Sequence, residues 1–368
     1  MREGVTYKRL GEVAPSQKYD GEITSVSGLY WLLNLDMVEP NTGNVIKKVM
    51  ATKEELDGSI TSFSPNNVLY SKLRPYLNKV VLPDECGYCT TELVPLFPKK
   101  DLLSREYLAY FLRSNTFVEF INDKVAGAKM PRVKMSDFWN HPIPVPSLST
   151  QELIVRELDS ISSVISAKKQ QVLELENLAQ AIFLDMFGDP ITNPKGWEVK
   201  KLSEACDEIF AGGDVPKGDS VHEKDAEHTI PIYSNGVKDE GLYGYTSKAR
   251  VLSPAVTISG RGTIGAAFIR REPFFPIIRL IVAIPNKSLD LTFFGSSIKM
   301  LSLESTGNSI QQLTIPMIKE YTIPIPPLSL QQAFAEKVQA IEEQKRLINQ
   351  SIAEFESLLA QRMEFHFA

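Results

Sequence analysis

Three cysteines, Cys86, Cys89 and Cys206, are too few and too ill-spaced for a disulfide framework. No apolar run approaches the roughly 18–20 residues of a membrane span, and the opening stretch MREGVTYKRL has no signal-peptide core. A cytoplasmic protein without membrane contact is expected. Histidine is scarce as well: His141, His222, His228 and His366 are scattered, and no Ser-His-Asp set assembles around them. Cys86-Gly87-Tyr88-Cys89 is a lone CxxC with no second ligand pair, which reads as strand cysteine rather than a zinc site. There is no P-loop. Asp189-Pro190 and Asn193-Pro194 lack the second proline and the aromatic with which DNA methyltransferases hold a flipped base. A non-catalytic chain is expected, with no metal or cofactor of its own.

What the sequence does contain is one stretch written twice. Residues 143–187 pass from a proline spacer through a Ser-Thr cap into an unbroken helical pattern, and residues 323–365 repeat it at a shift of 180 without a gap. The first copy sets Ile154, Leu158, Ile161, Ile165, Val172, Leu175, Ala179, Ile182 and Met186 on a heptad seam. The second sets Phe334, Val338, Ile341, Ile348, Ile352, Phe355 and Leu359 there, with Lys168 and Lys345 as one seam lysine in each copy. Two stripes of equal length and matching register most simply bury each other.

The remaining sequence repeats more loosely. Thr6-Tyr7-Lys8-Arg9-Leu10-Gly11-Glu12-Val13 answers Glu198-Val199-Lys200-Lys201-Leu202-Ser203-Glu204-Ala205, each a short basic strand entering a turn. A strand is expected over 67–72 in one half and 255–260 in the other, with further strands over 91–97, 266–269 and 277–284. A short helix follows over 104–115 and 291–303, then a Gly-centred loop over 126–133 and its counterpart over 306–313. Residues 188–197 read as a helix stop and turn linker. The fold class is therefore α+β: β-rich modules over 1–148 and 188–327, separated by long antiparallel, coiled-coil-like helices over 149–187 and 328–368. The duplication is pseudo-two-fold, with the modules expected at opposite ends.

Net charge is −5, but the deficit sits on the helices. Residues 149–190 carry three basic and seven acidic side chains, and 329–368 carry four and six. Each module holds an acid-free window instead: 59–83 with Lys72, Arg74 and Lys79, and 241–271 with Lys248, Arg250, Arg261, Arg270 and Arg271. Local basic faces matter to nucleic acid more than the total. Arg and Lys read guanine edges, Asn and Gln adenine edges. The candidate DNA contacts are Lys72, Arg74, Tyr76, Asn78, Lys79, Lys129, Arg132 and Lys134 in the first module, and Asn235, Lys248, Arg250, Arg261, Gln311 and Gln312 in the second. Tyr30, Trp31, Tyr233 and Tyr245 fit a core as well as a contact. Gly260-Arg261-Gly262-Thr263-Ile264-Gly265 matches GxGxxG, but a β-like run follows it instead of a helix. It reads as a hairpin loop carrying Arg261 to a ligand rather than a dinucleotide site.

The doubled IPxPxLSxQ entry, VLYSKLRPYLNKV, CTTELVPL, GAKMPRVKMSDFW, IPIYSNGVKDEGLYG and TISGRGTIG resemble the specificity subunit of type I restriction–modification enzymes over essentially the whole chain. That resemblance implies two target recognition domains reading the unlike halves of a bipartite duplex DNA site, and no catalytic centre. It further implies partner methyltransferase subunits, two of them, that bring S-adenosylmethionine and methylate adenine, and restriction (translocase–nuclease) subunits where present. The acidic helices would then be the methyltransferase docking surface. Rival readings are a duplicated protein-binding scaffold and the specificity part of a type IIB-like enzyme.

Overall fold

The computed structural model describes residues 6–368 except Asp57, Ser59, Ala128, Ser302 and 304–311. The chain divides into two units: 1–169 with 350–368, and 170–349. Each long helix, Leu148–Phe187 and Leu328–Phe367, runs for 40 residues and passes from one unit into the other.

In the first unit, Thr6–Arg9 pairs antiparallel with Pro142–Val145, the proline spacer itself. A four-stranded sheet runs in the order Val49–Ala51, Tyr30–Leu33, Gly87–Thr90, Ile60–Phe63, and a three-stranded one Val80–Val81, Val68–Ser71, Leu93–Leu96. Val68–Ser71, in the strand expected over 67–72, is buried at every position, so its β-branched and aromatic residues pack on both faces. Helix Arg105–Arg113 follows, capped by Ser104. A second helix, Asn115–Asn122, extends what was expected to be one: Ser114 adopts extended dihedrals, ends the first helix and caps the second.

The second unit repeats the frame. Val199–Lys201 pairs with Thr322–Pro324. The larger sheet runs Cys206–Ala211, Ile281–Pro285, Ala255–Ile258, Ala267–Arg270, and the smaller Leu242–Thr246, Ile230–Tyr233, Phe275–Pro276. Ala255–Ile258 is again wholly buried. One expected strand forms only over its second half, from Ile281. Residues 277–284 do not run straight, because Ile278 and Arg279 adopt left-handed dihedrals and regular structure resumes only at Ile281.

Within each unit the helix segments run antiparallel. In the first, Glu157 meets Arg362 and His366, while Lys169 meets Glu356. In the second, Phe183 and Phe187 meet Phe334, while Glu176 meets Lys345. The seam residues are all buried or half-buried. Its two lysines are accommodated differently: Lys345 bridges Glu176 and Glu342, and Lys168 lies 5.8 Å from the Phe355 ring centroid. The helix C-termini close each core: Phe367 packs on Tyr107 and Phe111, and Phe187 packs on Phe293. Aromatic pairs of this kind add roughly 0.5–1.5 kcal/mol beyond their buried area. The first helix stops at Gly188, in a left-handed C-terminal conformation with φ 79°.

The start of each helix is fixed by a fully buried glutamine absent from the seam pattern. Gln151 donates to Leu102 O (2.8 Å) and Pro146 O (2.9 Å) and accepts from Ser104 N–H (2.9 Å). Gln331 donates to Ser288 O (3.1 Å) and Pro326 O (2.8 Å) and accepts from Asp290 N–H (2.8 Å). In both units the accepted N–H belongs to the cap residue of a module helix, so one side chain ties spacer, long helix and module together. Replacing either glutamine by leucine leaves those three backbone groups buried and unpaired. Each such replacement should lower unfolding stability by roughly 2–4 kcal/mol in denaturant melts.

Arg362's hydrogen bond to Glu157, reinforced by His366, holds that carboxyl below its usual range. A depressed folded value means the stabilisation is present above the unfolded carboxylate pKa, about 4.3, and is lost as pH falls through the folded value. The stability gap between the native chain and Glu157→Gln should therefore be open at neutral pH and close below about pH 4.

Candidate nucleic-acid interface

In the first unit two loops are stitched together by backbone. Val133 N–H donates to Lys72 O (2.9 Å), Arg74 N–H to Pro131 O (2.8 Å), and Leu73 bridges Arg132. The loop carrying exposed Lys129 is turned by Gly127 (φ 95°), closing the short hairpin Val125–Ala126/Arg132–Val133. Lys72, Arg74, Lys129 and Arg132 thus meet in one loop cluster. Arg132 forks onto Glu92, its Nη2 2.9 Å from Oε1, in the geometry a guanidinium also uses on other planar acceptors. Arg74 (φ 50°) and Asn78 (φ 48°) flank the short turn Pro75–Leu77, whose Tyr76 is 54% exposed above a buried Pro75. Lys134 is exposed at the start of helix Met135–Asn140.

Two first-unit candidates have duties inside the module. Lys79 donates to Leu35 O (2.7 Å), and burial pushes its ammonium below its ordinary range. Asn78 donates to Arg113 O (3.0 Å) and its Oδ1 is buried. Both hold the turn beneath Tyr76 and drop out as groups free to read bases.

The second unit uses the same stitch with other residues. Leu313 N–H donates to Gly260 O (2.9 Å), joining the loop after the central strand to the chain that enters the second spacer. GxGxxG is the hairpin loop between Ala255–Ile258 and Ala267–Arg270, not the start of a helix. Gly260 belongs there because a Cβ would stand 2.9 Å from Leu313 O. Arg261 donates to Gln312 Oε1 through Nη2 (3.0 Å) and Nε (3.3 Å). Lys248 and Arg250 are exposed, with Arg250 5.2 Å from the Phe210 ring centroid. Gln311 lies outside the described residues.

Asn235, like Asn78, is engaged inside its module. It accepts from Gly260 N–H (2.8 Å) and donates to Ile278 O (2.5 Å), so both ends of its amide staple loops together. Arg270 is internal too: 5% exposed, it lies 3.6 Å from the Tyr233 ring centroid, donates to Thr257 Oγ1 and pairs with Glu240. Arg271 donates to Thr292 Oγ1. Of Cys86 and Cys89, Cys89 is buried in its strand, and burial pushes its thiol up to about 12.

Family comparison identifies this frame. The model described as type I restriction modification DNA specificity domain matches twice, over residues 3–177 and 194–357. The chain belongs to this family. A protein named as a type I specificity subunit in Mycoplasma pneumoniae is 31% identical over 238 residues, covering 63% of each chain, just under two thirds of that relative. The MjaIX specificity subunit of Methanocaldococcus jannaschii is 26% identical over 292 residues, covering 69% of this chain and 65% of its own. Among solved structures, the type I S subunit from M. genitalium superposes with a TM-score of 0.58 at 16% identity, covering 100% of this chain and 98% of that one. A chain from a study of complex assembly and conformational transition in the type I R-M system gives 0.59 at 20%, covering 99% and 97%. At those identities the likeness is one of fold.

Arg279 stands outside the residues singled out from the sequence. It is exposed beside the Asn235 and Gly260 loops but lies beyond the acid-free window, inside a run that reads as strand. The basic residues of the second unit also divide by role in a way stability can test. Arg270→Ala should lose roughly 2–3 kcal/mol with its hydrogen bonds and ring contact. Lys248→Ala and Arg250→Ala should stay within about 0.5 kcal/mol of the native chain in the same melts.

Proposed function

We propose that this chain confers DNA sequence specificity on a type I restriction–modification assembly. Each module reads one half of a bipartite duplex site through the major groove. The chain does no chemistry itself; methyltransferase subunits, two per chain, bring S-adenosylmethionine and methylate adenine, and restriction subunits join where they exist. The observation that carries this reading is the repeated stitch between the post-strand loop and the pre-spacer loop. It is built on the same frame in both units, with Lys72, Arg74, Lys129 and Arg132 in one and Arg261 and Gln312 in the other. One frame with unlike polar tips suits two unlike half-sites.

The long helices serve as spacer and docking surface. Forty residues span about 60 Å at 1.5 Å per residue, enough to serve successive major-groove segments about 34–36 Å apart. Off the seam, Leu153, Leu173 and Leu178 on the first helix, and Leu347 and Leu358 on the second, stand exposed among acidic residues. That surface suits a protein partner better than phosphate.

Two measurements test this. The chain should co-purify with a methyltransferase subunit and bind one bipartite site with an affinity that falls steeply with salt; protein capture without site-specific DNA binding would contradict it. Inserting one heptad after Lys169 and another after Asn349 should lengthen the preferred spacer by about three base pairs, from about 10 Å of added helix. An unchanged spacer would remove the helices from that role.

A further inference from the structure

Within the second unit, the run Phe275-Pro276-Ile277-Ile278-Arg279-Leu280-Ile281 has the composition of a continuous strand, and the backbone breaks it. Ile278 (φ 52°) and Arg279 (φ 59°) sit in succession in the left-handed region. That region favours Gly, Asn or Asp; a β-branched side chain there crowds its own backbone. Such strain persists only where the surroundings over-determine it, and here they do. Ile277 N–H donates to Tyr233 O (2.9 Å), Ile278 N–H to Gly213 O (2.8 Å) and Arg279 N–H to Gly212 O (3.2 Å). The Asn235 amide holds Ile278 O from the other side (2.5 Å). Gly212 is part of the clamp: a Cβ there would stand 2.7 Å from the Pro276 carbonyl.

The turn buries its flanking residues Ile277 and Leu280, but the two left-handed residues themselves stay outside the core. Ile278 is 48% exposed, Arg279 is exposed, and its guanidinium has no hydrogen-bond or ion-pair partner among the described residues. What the turn achieves is position. Arg279 O lies 3.7 Å from the Cβ position of Gly260, the residue before Arg261. Arg250 Nη1 lies 3.1 Å from the Cβ position of Gly213, whose carbonyl holds Ile278. Arg279 therefore sits between the Arg250 and Arg261 segments, and none of the three is in an ion pair among the described residues. The first module makes a comparable choice with a different turn, placing exposed Arg74 at φ 50° beside its own stitched loops.

We propose that the Ile278–Arg279 turn is a base-reading element of the second module. The Arg279 guanidinium donates to the O6 and N7 edge of a guanine in the major groove, and the Ile278 side chain lies against a neighbouring thymine methyl. This rests on the DNA-reading function proposed above and adds to it a residue pair outside both basic windows. The stapling by Asn235 becomes a positioning role: it fixes the height of the turn that reads.

The test uses the full chain with its methyltransferase partner, reading methylated sites across a genome and affinity for duplexes varied one base pair at a time. Arg279→Ala should relax the preference at one base pair of one half-site and weaken cognate binding roughly ten- to hundred-fold. The other half-site, unchanged, reports that the chain remains folded. Ile278→Gly should raise the thermal midpoint by about 2 °C while weakening discrimination beside that base pair. Binding weakened uniformly across sequences, with the salt slope reduced by about one, would make Arg279 a phosphate contact and overturn base reading. Unchanged binding, or a lowered midpoint in Ile278→Gly, would overturn the turn's role. Failure of the native chain to direct methylation to any defined site would overturn the reading beneath it, and this one with it.

Discussion

The structure depends on one buried side chain in each half. Gln151 and Gln331 lie in the first turn of a 40-residue helix, fully removed from solvent, and each satisfies two carbonyls and one N–H that no regular element would satisfy. A helix leaves its first N–H groups open, and a proline spacer leaves carbonyls without neighbours. The amide, carrying donor and acceptor on one planar head, resolves both at once. It ties the start of the long helix to the proline spacer and to the cap of a module helix.

Around this joint, what is duplicated and what is varied separate cleanly. The duplicated parts make the frame: the two-stranded pairing with the spacer, the short helix after it, the buried central strand, the glutamine and the closing phenylalanine. The varied parts are the loops that the frame brings together, Arg132 with Glu92 in one unit and Arg261 with Gln312 in the other. A core tolerates little change in volume or register, whereas an exposed loop held by backbone hydrogen bonds can change its side chains freely. If the two modules recognise unlike half-sites, as proposed, a frame held constant with loops free to vary is the division such a task calls for.

Much of this was legible because it is periodic. The seam residues from Ile154 to Leu359 declare themselves by spacing, since a helix returns to the same face every three or four residues. The GxGxxG hairpin was readable from the β-like run behind it. What escaped was set by tertiary geometry. Asn78, Lys79 and Asn235 have the chemistry of base readers, and only the positions of Arg113 O, Leu35 O and Gly260 N show that they face inward. Gln151 looks like a surface glutamine one turn into a helix. Residues 277–284 look like a strand because hydrophobic run and β-branching say so. The break at Ile278 is imposed by carbonyls of Gly212 and Gly213, more than sixty positions away.

On the proposed function, each half-site is read by one module and the frame is common to both. Replacing residues 202–321 with residues 10–141 makes the two modules alike. The joins then fall where Leu10 N–H meets His141 O and Leu202 N–H meets Tyr321 O, the same hydrogen bond in the two units. Sequencing the methylated sites of a host carrying this chain and its methyltransferase should reveal a target whose two halves carry the same bases. A target still made of two unlike halves would show that the modules do not each read one half-site on a shared frame.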